Sequence, residues 1–238
     1  MATKKEVENY YNKTWKDLDN KGLTVPNSRH FLILDKMKKN GLQRYSKVLE
    51  IGCGIGTLSK LTAEFCKNGN VTAVDISPET IELAKYKFQN QNNLIFQISD
   101  MSNWSSDEKF DFIILPDVLE HIPITQHKNL FTNISKVCTP KTKIFINIPH
   151  PKALEYFHIN KKEQLQIIDQ PIPTNILSES VYSINFYIDS IESYSIDFQQ
   201  SDYQFIILKN GIVNEEYIIR PKLPRFIQFW KYRIRSWF

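Results

Sequence analysis

The sequence predicts an α/β fold: a mostly parallel sheet with helices on both faces, closed by a C-terminal antiparallel hairpin. Three observations predict it. Short apolar runs alternate with segments of helical period from residue 47 to residue 148. Three of the seven glycines, Gly52, Gly54 and Gly56, sit where the first such run meets the first such helix. Two late segments rich in isoleucine and aromatic residues, 191–198 and 203–208, are spaced like a hairpin. The chain has 238 residues, enough to bury a sizeable core without staples. Its 42% apolar and 24% charged residues exclude a largely disordered protein.

Each element follows from local signals. Residues 1–45 read as a helical cap. Val7, Tyr10, Tyr11 and Trp15 share one face, and Phe31, Leu32, Leu34 and Met37 form a second stripe beyond a turn at Gly22 and Pro26. The aromatic stripe suits either a core or a lid over a ligand. Residues 47–51 are a buried strand, and 57–67 a helix with Leu58, Leu61 and Phe65 on one side and Gly69 past its end. Residues 71–75 are a second strand. Ser77-Pro78-Glu79 opens a helix that runs to about residue 90, with a capping hydroxyl, a proline in the first turn and an acid at the positive dipole end. Strands at 94–98 and 110–115, a helix at 127–138 and a strand at 143–148 continue the alternation. Residues 149–185, with four prolines at 149, 151, 171 and 173, break the rhythm and read as an insert. The organisation is therefore a cap (1–45), a central domain (46–210) and a tail (211–238).

The glycine turn is the first chemical signal. A P-loop needs Gly-Lys-Ser/Thr after four spacers, and Thr57-Leu58-Ser59 does not supply it. A dinucleotide fingerprint needs its third glycine one residue later. A nucleoside site without a diphosphate remains. Glu50, two residues before Gly52, would repel a diphosphate but suits an amino group. Asp75, ending the second strand 19 residues beyond Gly56, is placed to accept both ribose hydroxyls. Asp100, just beyond the third strand, can accept from an adenine amino group.

These residues resemble the class I S-adenosylmethionine-dependent methyltransferases. The match runs through Val48-Leu49-Glu50-Ile51-Gly52-Cys53-Gly54-Ile55-Gly56, Val74-Asp75-Ile76-Ser77-Pro78, Asp100-Met101 and Phe110-Asp111 to Asp117-Val118-Leu119-Glu120-His121-Ile122. It covers roughly residues 45–150. It implies a Rossmann-like seven-stranded sheet and S-adenosylmethionine as cofactor, with S-adenosylhomocysteine as product. It further implies that the Gly52–Gly56 turn carries the methionine part, that Asp75 binds ribose, that Ile76 packs on adenine and that Asp100 and Met101 recognise its edge. Asp117 would lie near the amino or methyl end. Arg29 resembles an arginine of ubiquinone-type O-methyltransferases that reaches the cofactor carboxylate; a plain surface arginine is the alternative.

O-methylation requires a base for the hydroxyl proton. His121 and His150 follow the fourth and fifth strands, at the carboxyl edge where open α/β sheets bind ligands, and are the candidate bases. His127 reads as lying on a solvated helix start. The Leu115-Pro116-Asp117-Val118 segment lacks the Asn/Asp-Pro-Pro-Tyr/Phe of base-amino methyltransferases, which disfavours nucleic acid. Tyr, Gln, Asn and Asp in 149–208 suit a polyhydroxylated acceptor such as a sugar, and equally an ordinary polar surface; the first reading is a small-molecule or glycan acceptor, with O-methylation slightly preferred over N-methylation. This patterning is loosely like methyltransferases of surface-polysaccharide synthesis. A lipid-linked or quinone-like acceptor is the second reading. A non-catalytic cofactor-binding module that docks a partner is the third.

The remaining signals concern location. Cys53, Cys66 and Cys138 suit free thiols, with no metal-binding spacing. No run of 18 apolar residues and no apolar leader occur in the sequence, so a cytoplasmic protein, at most at the inner face of a membrane, is expected. Basic residues exceed acidic ones by four, but residues 220–238 hold six basic and no acidic residue, leaving 24 basic against 26 acidic before them. On a helical wheel Phe226, Ile227, Trp230, Ile234, Trp237 and Phe238 gather on one side. Residues 221–238 are therefore expected to form a basic amphipathic helix that meets a membrane, a second subunit or its own domain.

Overall fold

The computed structural model describes residues 3–22, 24–211 and 229–230. One seven-stranded sheet organises the chain, in the order β3-β2-β1-β4-β5-β7-β6. Its strands are β1 (Lys47–Ile51), β2 (Asn70–Asp75), β3 (Leu94–Ile98), β4 (Phe110–Pro116), β5 (Cys138–Pro149), β6 (Phe186–Tyr194) and β7 (Tyr203–Asn210). The first five pair in parallel, and β7 inserts antiparallel between β5 and β6. The fold class expected from the alternation of elements is therefore the one observed. Strand order reverses between β1 and β4, and at such a switch point the loops on either side diverge and open a crevice at the carboxyl edge.

Helices cover both faces: α1 (Lys4–Asn20), α2 (Ser28–Lys39), α3 (Thr57–Phe65), α4 (Pro78–Lys87), α5 (Ile124–Ser135), α6 (Pro151–Asn160) and α7 (Thr174–Tyr182). Apolar periodicity assigns them to two cores. Ile33, Met37, Leu58, Ile81 and Ala84 pack with Val71 and Phe112 on one side. Leu130, Phe131, Ile134, Leu177 and Val181 pack with Ile113 and Ile146 on the other. Each such fully buried Leu, Ile or Phe contributes about 1.5–3 kcal/mol. The central strands β1, β2 and β4 are buried on both faces, which explains why they read as continuous apolar runs rather than alternating ones.

The α4 start matches its sequence signals. The Ser77 hydroxyl accepts from the Thr80 amide at 3.1 Å, and Pro78 occupies the first turn. Three expectations change. The first hairpin strand runs over Phe186–Tyr194, not 191–198: Asn185, at φ 64°, turns the chain into it, and its mostly exposed side chains hide it from an apolar-run criterion. The segment 149–185 is not wholly an insert, because α7 packs Leu177 and Val181 into the sheet core. His127 is fully buried rather than solvated. Its Nε2–H donates to the Leu119 and Ile122 carbonyls at 3.1 and 2.8 Å, and burial holds its imidazole below the usual range.

Cys53 and Cys66 are buried and Cys138 half-buried, all unpaired; burial pushes the Cys66 and Cys138 thiols up to about 12. No described helix is long and apolar enough to cross a membrane. The expected tail helix lies outside the described residues except for Phe229 and Trp230, which are helical and exposed.

Candidate active site

The carboxyl ends of β1, β2 and β3 build a groove. Gly52 and Cys53 donate their amides to the Val74 carbonyl at 2.8 and 3.0 Å, which ties the glycine turn to β2. Gly52 lies at φ 73°, and a Cβ there would collide with the Val118 side chain. Gly54, at φ 52°, has the Trp15 ring 2.5 Å from the position a Cβ would take. Both positions therefore exclude side chains by conformation and by contact. Asp75 accepts from the Gly54 amide at 2.8 Å and the Ser77 amide at 2.9 Å. Burial raises its carboxyl pKa, and these amides oppose the rise.

Glu50 lies beneath the turn, 1% exposed, with Oε2 unpartnered, and burial pushes its carboxyl up to about 8. Ile76 is half-buried beside Asp75. Met101 is buried at φ 61°, a conformation pinned by Asn133, whose side-chain amide donates to the Met101 and Ser102 carbonyls at 2.7 and 2.6 Å. Asp100 pairs with Lys4 at 2.5 Å. Burial works against its ionisation, but Lys4 and the Ser102 hydrogen bonds outweigh it and hold the carboxyl at about 2.

Helix α1 covers this groove. Trp15 lies on Gly54, the Ser77 hydroxyl donates to Asn12, and Lys4 holds Asp100. A cavity of about 200 Å³ remains between α1 and α4, bounded by Asn12, Trp15 and Thr80. The aromatic stripe of the N-terminus thus faces the site. Tyr11 packs edge-on against His121 at 6.1 Å, with its buried hydroxyl unpartnered.

A second cavity of about 200 Å³ opens beyond β4. Its polar wall holds Arg29, Asp117, Glu120, His121, Asp169 and Tyr203, and its apolar wall holds Leu154, Phe157 and Phe198. Arg29 does not stand as a lone surface arginine. Its Nη1 is 3.1 Å from Asp117 Oδ2 and donates to the Tyr203 hydroxyl at 2.6 Å. Asp117, at φ 55°, also accepts from the Asn147 side chain at 3.3 Å. His121 donates from Nδ1 to the Ile168 carbonyl at 2.6 Å, since a carbonyl can only accept. Its neutral form therefore keeps the lone pair on Nε2, which lies 3.8 Å from Glu120 Oε1.

His150 sits elsewhere. Its Nδ1 accepts from the Lys152 amide at 3.2 Å as the cap of α6, and it is not among the residues that bound the cavity. The segment around Asp169 is clamped over the site: Gln170 donates its backbone and side-chain amides to the Glu120 and Ile122 carbonyls, both at 2.9 Å, and His158 donates to the Asp169 carbonyl at 2.6 Å. Residues of the polar segments 165–170 and 194–204 thus line one cavity. Sequence reasoning gave no individual role to Glu120, Tyr203 or Asp169. The spacing Asp117-x-x-Glu120-His121 on a 3-10 turn (Leu119–His121) was the available signal.

The donors of the groove fit a nucleoside-type cofactor. The glycine turn presents backbone with no room for side chains, Asp75 stands at the end of β2, and Glu50 offers a buried, unpartnered oxygen.

Residues 48–141 match the family model described as a methyltransferase domain. A malonyl-[acyl-carrier protein] O-methyltransferase of Ilyobacter polytropus is 29% identical over 48% of this chain and 41% of its own length. A ubiquinone biosynthesis O-methyltransferase of Coxiella burnetii is 36% identical over 42% of each chain. The chain thus spans about two-fifths of the length of these relatives. Among solved structures, magnesium protoporphyrin IX methyltransferase from Synechocystis PCC 6803 superposes with a TM-score of 0.67 at 18% identity, over 87% of this chain and 99% of that one. N-methyltransferase NodS from Bradyrhizobium japonicum reaches 0.61 at 18% identity, over 76% and 85%. Residues 48–141 thus match a methyltransferase domain, and the sheet that carries them has the fold of these methyltransferase structures.

Proposed function

We propose that this protein transfers a methyl group from S-adenosylmethionine to a hydroxyl of a small-molecule or sugar acceptor, with His121 as general base. When bound, the cofactor supplies an electrophilic methyl on a sulfonium centre. The chain's own residues then have three tasks. Asp75, Glu50 and the Gly52–Gly56 turn hold the nucleoside and amino-acid ends, beside Ile76, Asp100 and Met101. Arg29 and Asp117, locked to each other and to Tyr203, form the floor between groove and acceptor cavity. His121 takes the hydroxyl proton on Nε2.

The observation that carries this reading is the fixed tautomer of His121 in the wall of the second cavity. A base of this kind contributes about 10²–10⁴-fold, and orientation of the reactants supplies more. Of the two candidate bases, His121 is preferred here over His150, whose Nδ1 caps α6. The names of the two curated relatives support O-methylation. The Phe157–Phe198 wall, with rings 5.9 Å apart, favours a quinone-like acceptor as the second reading. Incubation with methyl-labelled S-adenosylmethionine and panels of glycosides, phenols and acyl acids tests the proposal. Labelled product that disappears in His121→Asn supports it; undiminished transfer in that variant removes His121 as base.

A further inference from the structure

Glu120 is a buried titratable group that this mechanism leaves unused. It is 1% exposed, and neither carboxyl oxygen has a hydrogen-bond partner. Its backbone carbonyl accepts from the Gln170 amide at 2.9 Å. Arg29, which interacts with it electrostatically, is already taken by Asp117 and Tyr203. Buried polar groups are nearly always partnered, and one left without a partner at a cavity wall is a place for a ligand. Glu120 bounds the same cavity as His121, and its Oε1 stands 3.8 Å from the nitrogen that receives the acceptor proton.

We propose that Glu120 binds the acceptor through a second hydroxyl, on the atom next to the one that is methylated, so that the substrate is a vicinal diol of a polyol or sugar. The proposal rests on the methyltransferase reading above. Two oxygens on adjacent carbons are close enough for one to meet Glu120 and the other His121 Nε2. Burial, and the Asp117 carboxylate beside it, push the Glu120 carboxyl far above the usual carboxylate range, so it keeps its proton. A neutral carboxyl offers one donor and one acceptor, which is the complement of a hydroxyl.

The test is methyl transfer from labelled S-adenosylmethionine to methyl pyranosides and their monodeoxy analogues, by the full chain and by Glu120→Gln and Glu120→Leu. S-adenosylhomocysteine affinity and thermal unfolding are measured beside it. The wild type should prefer a diol over its adjacent-deoxy analogue by at least about tenfold in kcat/KM, because a site built to hydrogen-bond a hydroxyl rejects its absence. Glu120→Leu should lose that preference, chiefly through KM. Glu120→Gln, which keeps a donor and an acceptor, should retain most of it. S-adenosylhomocysteine affinity and melting temperature should not fall in either. If Glu120→Leu does not fold, Glu120→Asp must raise KM for the diol and not for the deoxy analogue.

Equal use of diol and deoxy acceptor, an unchanged preference in Glu120→Leu, an unchanged KM in Glu120→Asp, or no transfer to any pyranoside by a protein that binds S-adenosylhomocysteine overturns the role of Glu120. A wild type that does not bind S-adenosylhomocysteine overturns the methyltransferase reading, and this one with it.

Discussion

One hydrogen bond sets the tautomer of His121, the proposed base. The Ile168 carbonyl takes the Nδ1 proton, so Nε2 is the acceptor in the neutral ring. His121→Asn should lower kcat by about 10²–10⁴-fold, the usual contribution of a general base, while S-adenosylhomocysteine affinity measured by calorimetry holds. Glu50 makes a prediction about pH. Its carboxyl titrates near 4.5 in the unfolded chain and near 8 when buried. The unfolded chain therefore loses this proton first. Below pH 4.5 both states keep it and nothing is lost. Between about 4.5 and 8 stability falls, at no more than about 1.4 kcal/mol per pH unit, and above 8 it levels off. Glu50→Gln should remove that slope, so denaturation midpoints of the two proteins should diverge as pH rises across this window. Parallel curves would mean that Glu50 is solvated or paired.

At the scale of elements, the loop after β3 depends on α5. Asn133 is 7% exposed and holds the Met101 and Ser102 carbonyls, fixing Met101 at a positive φ. Asn133→Leu strands those carbonyls and should cost about 1–3 kcal/mol by denaturant unfolding. It should also weaken S-adenosylhomocysteine binding, because Asp100 and Met101 lose their position.

This support was not legible in the sequence, which places Asn133 32 residues from Met101 on a helix read only for its apolar stripe. Signals that act over a few residues were legible. The glycine turn, the Ser77-Pro78 helix start and Asp75 at a strand end all stand where their local chemistry put them. Partnerships across the sheet were not. Arg29 meets Asp117 88 residues away, His127 is buried by the turn it binds, and β6 carries too few buried side chains to announce itself. His150 has a suggestive position at the end of β5, yet a helix cap claims its ring.

At the scale of the whole molecule, the sheet brings the glycine turn and the cavity beyond β4 to one edge, with α1 against the first and the 164–170 segment along the second. The basic excess falls, in the sequence, in residues 220–238. An amphipathic basic segment of this kind binds anionic membrane surfaces through apolar burial and charge. The full chain should co-sediment with anionic phosphatidylserine-containing liposomes more than a form ending at residue 220, and equal pelleting would assign the tail to protein contacts instead.

The central claim is that the β1–β2 edge holds S-adenosylmethionine, and calorimetric titration with S-adenosylhomocysteine tests it most directly. Wild-type protein should bind well below the millimolar range, and Asp75→Ala should bind at least about tenfold more weakly, a loss of about 1.4 kcal/mol. Absence of binding by the wild type, or equal affinity in Asp75→Ala, would contradict the assignment.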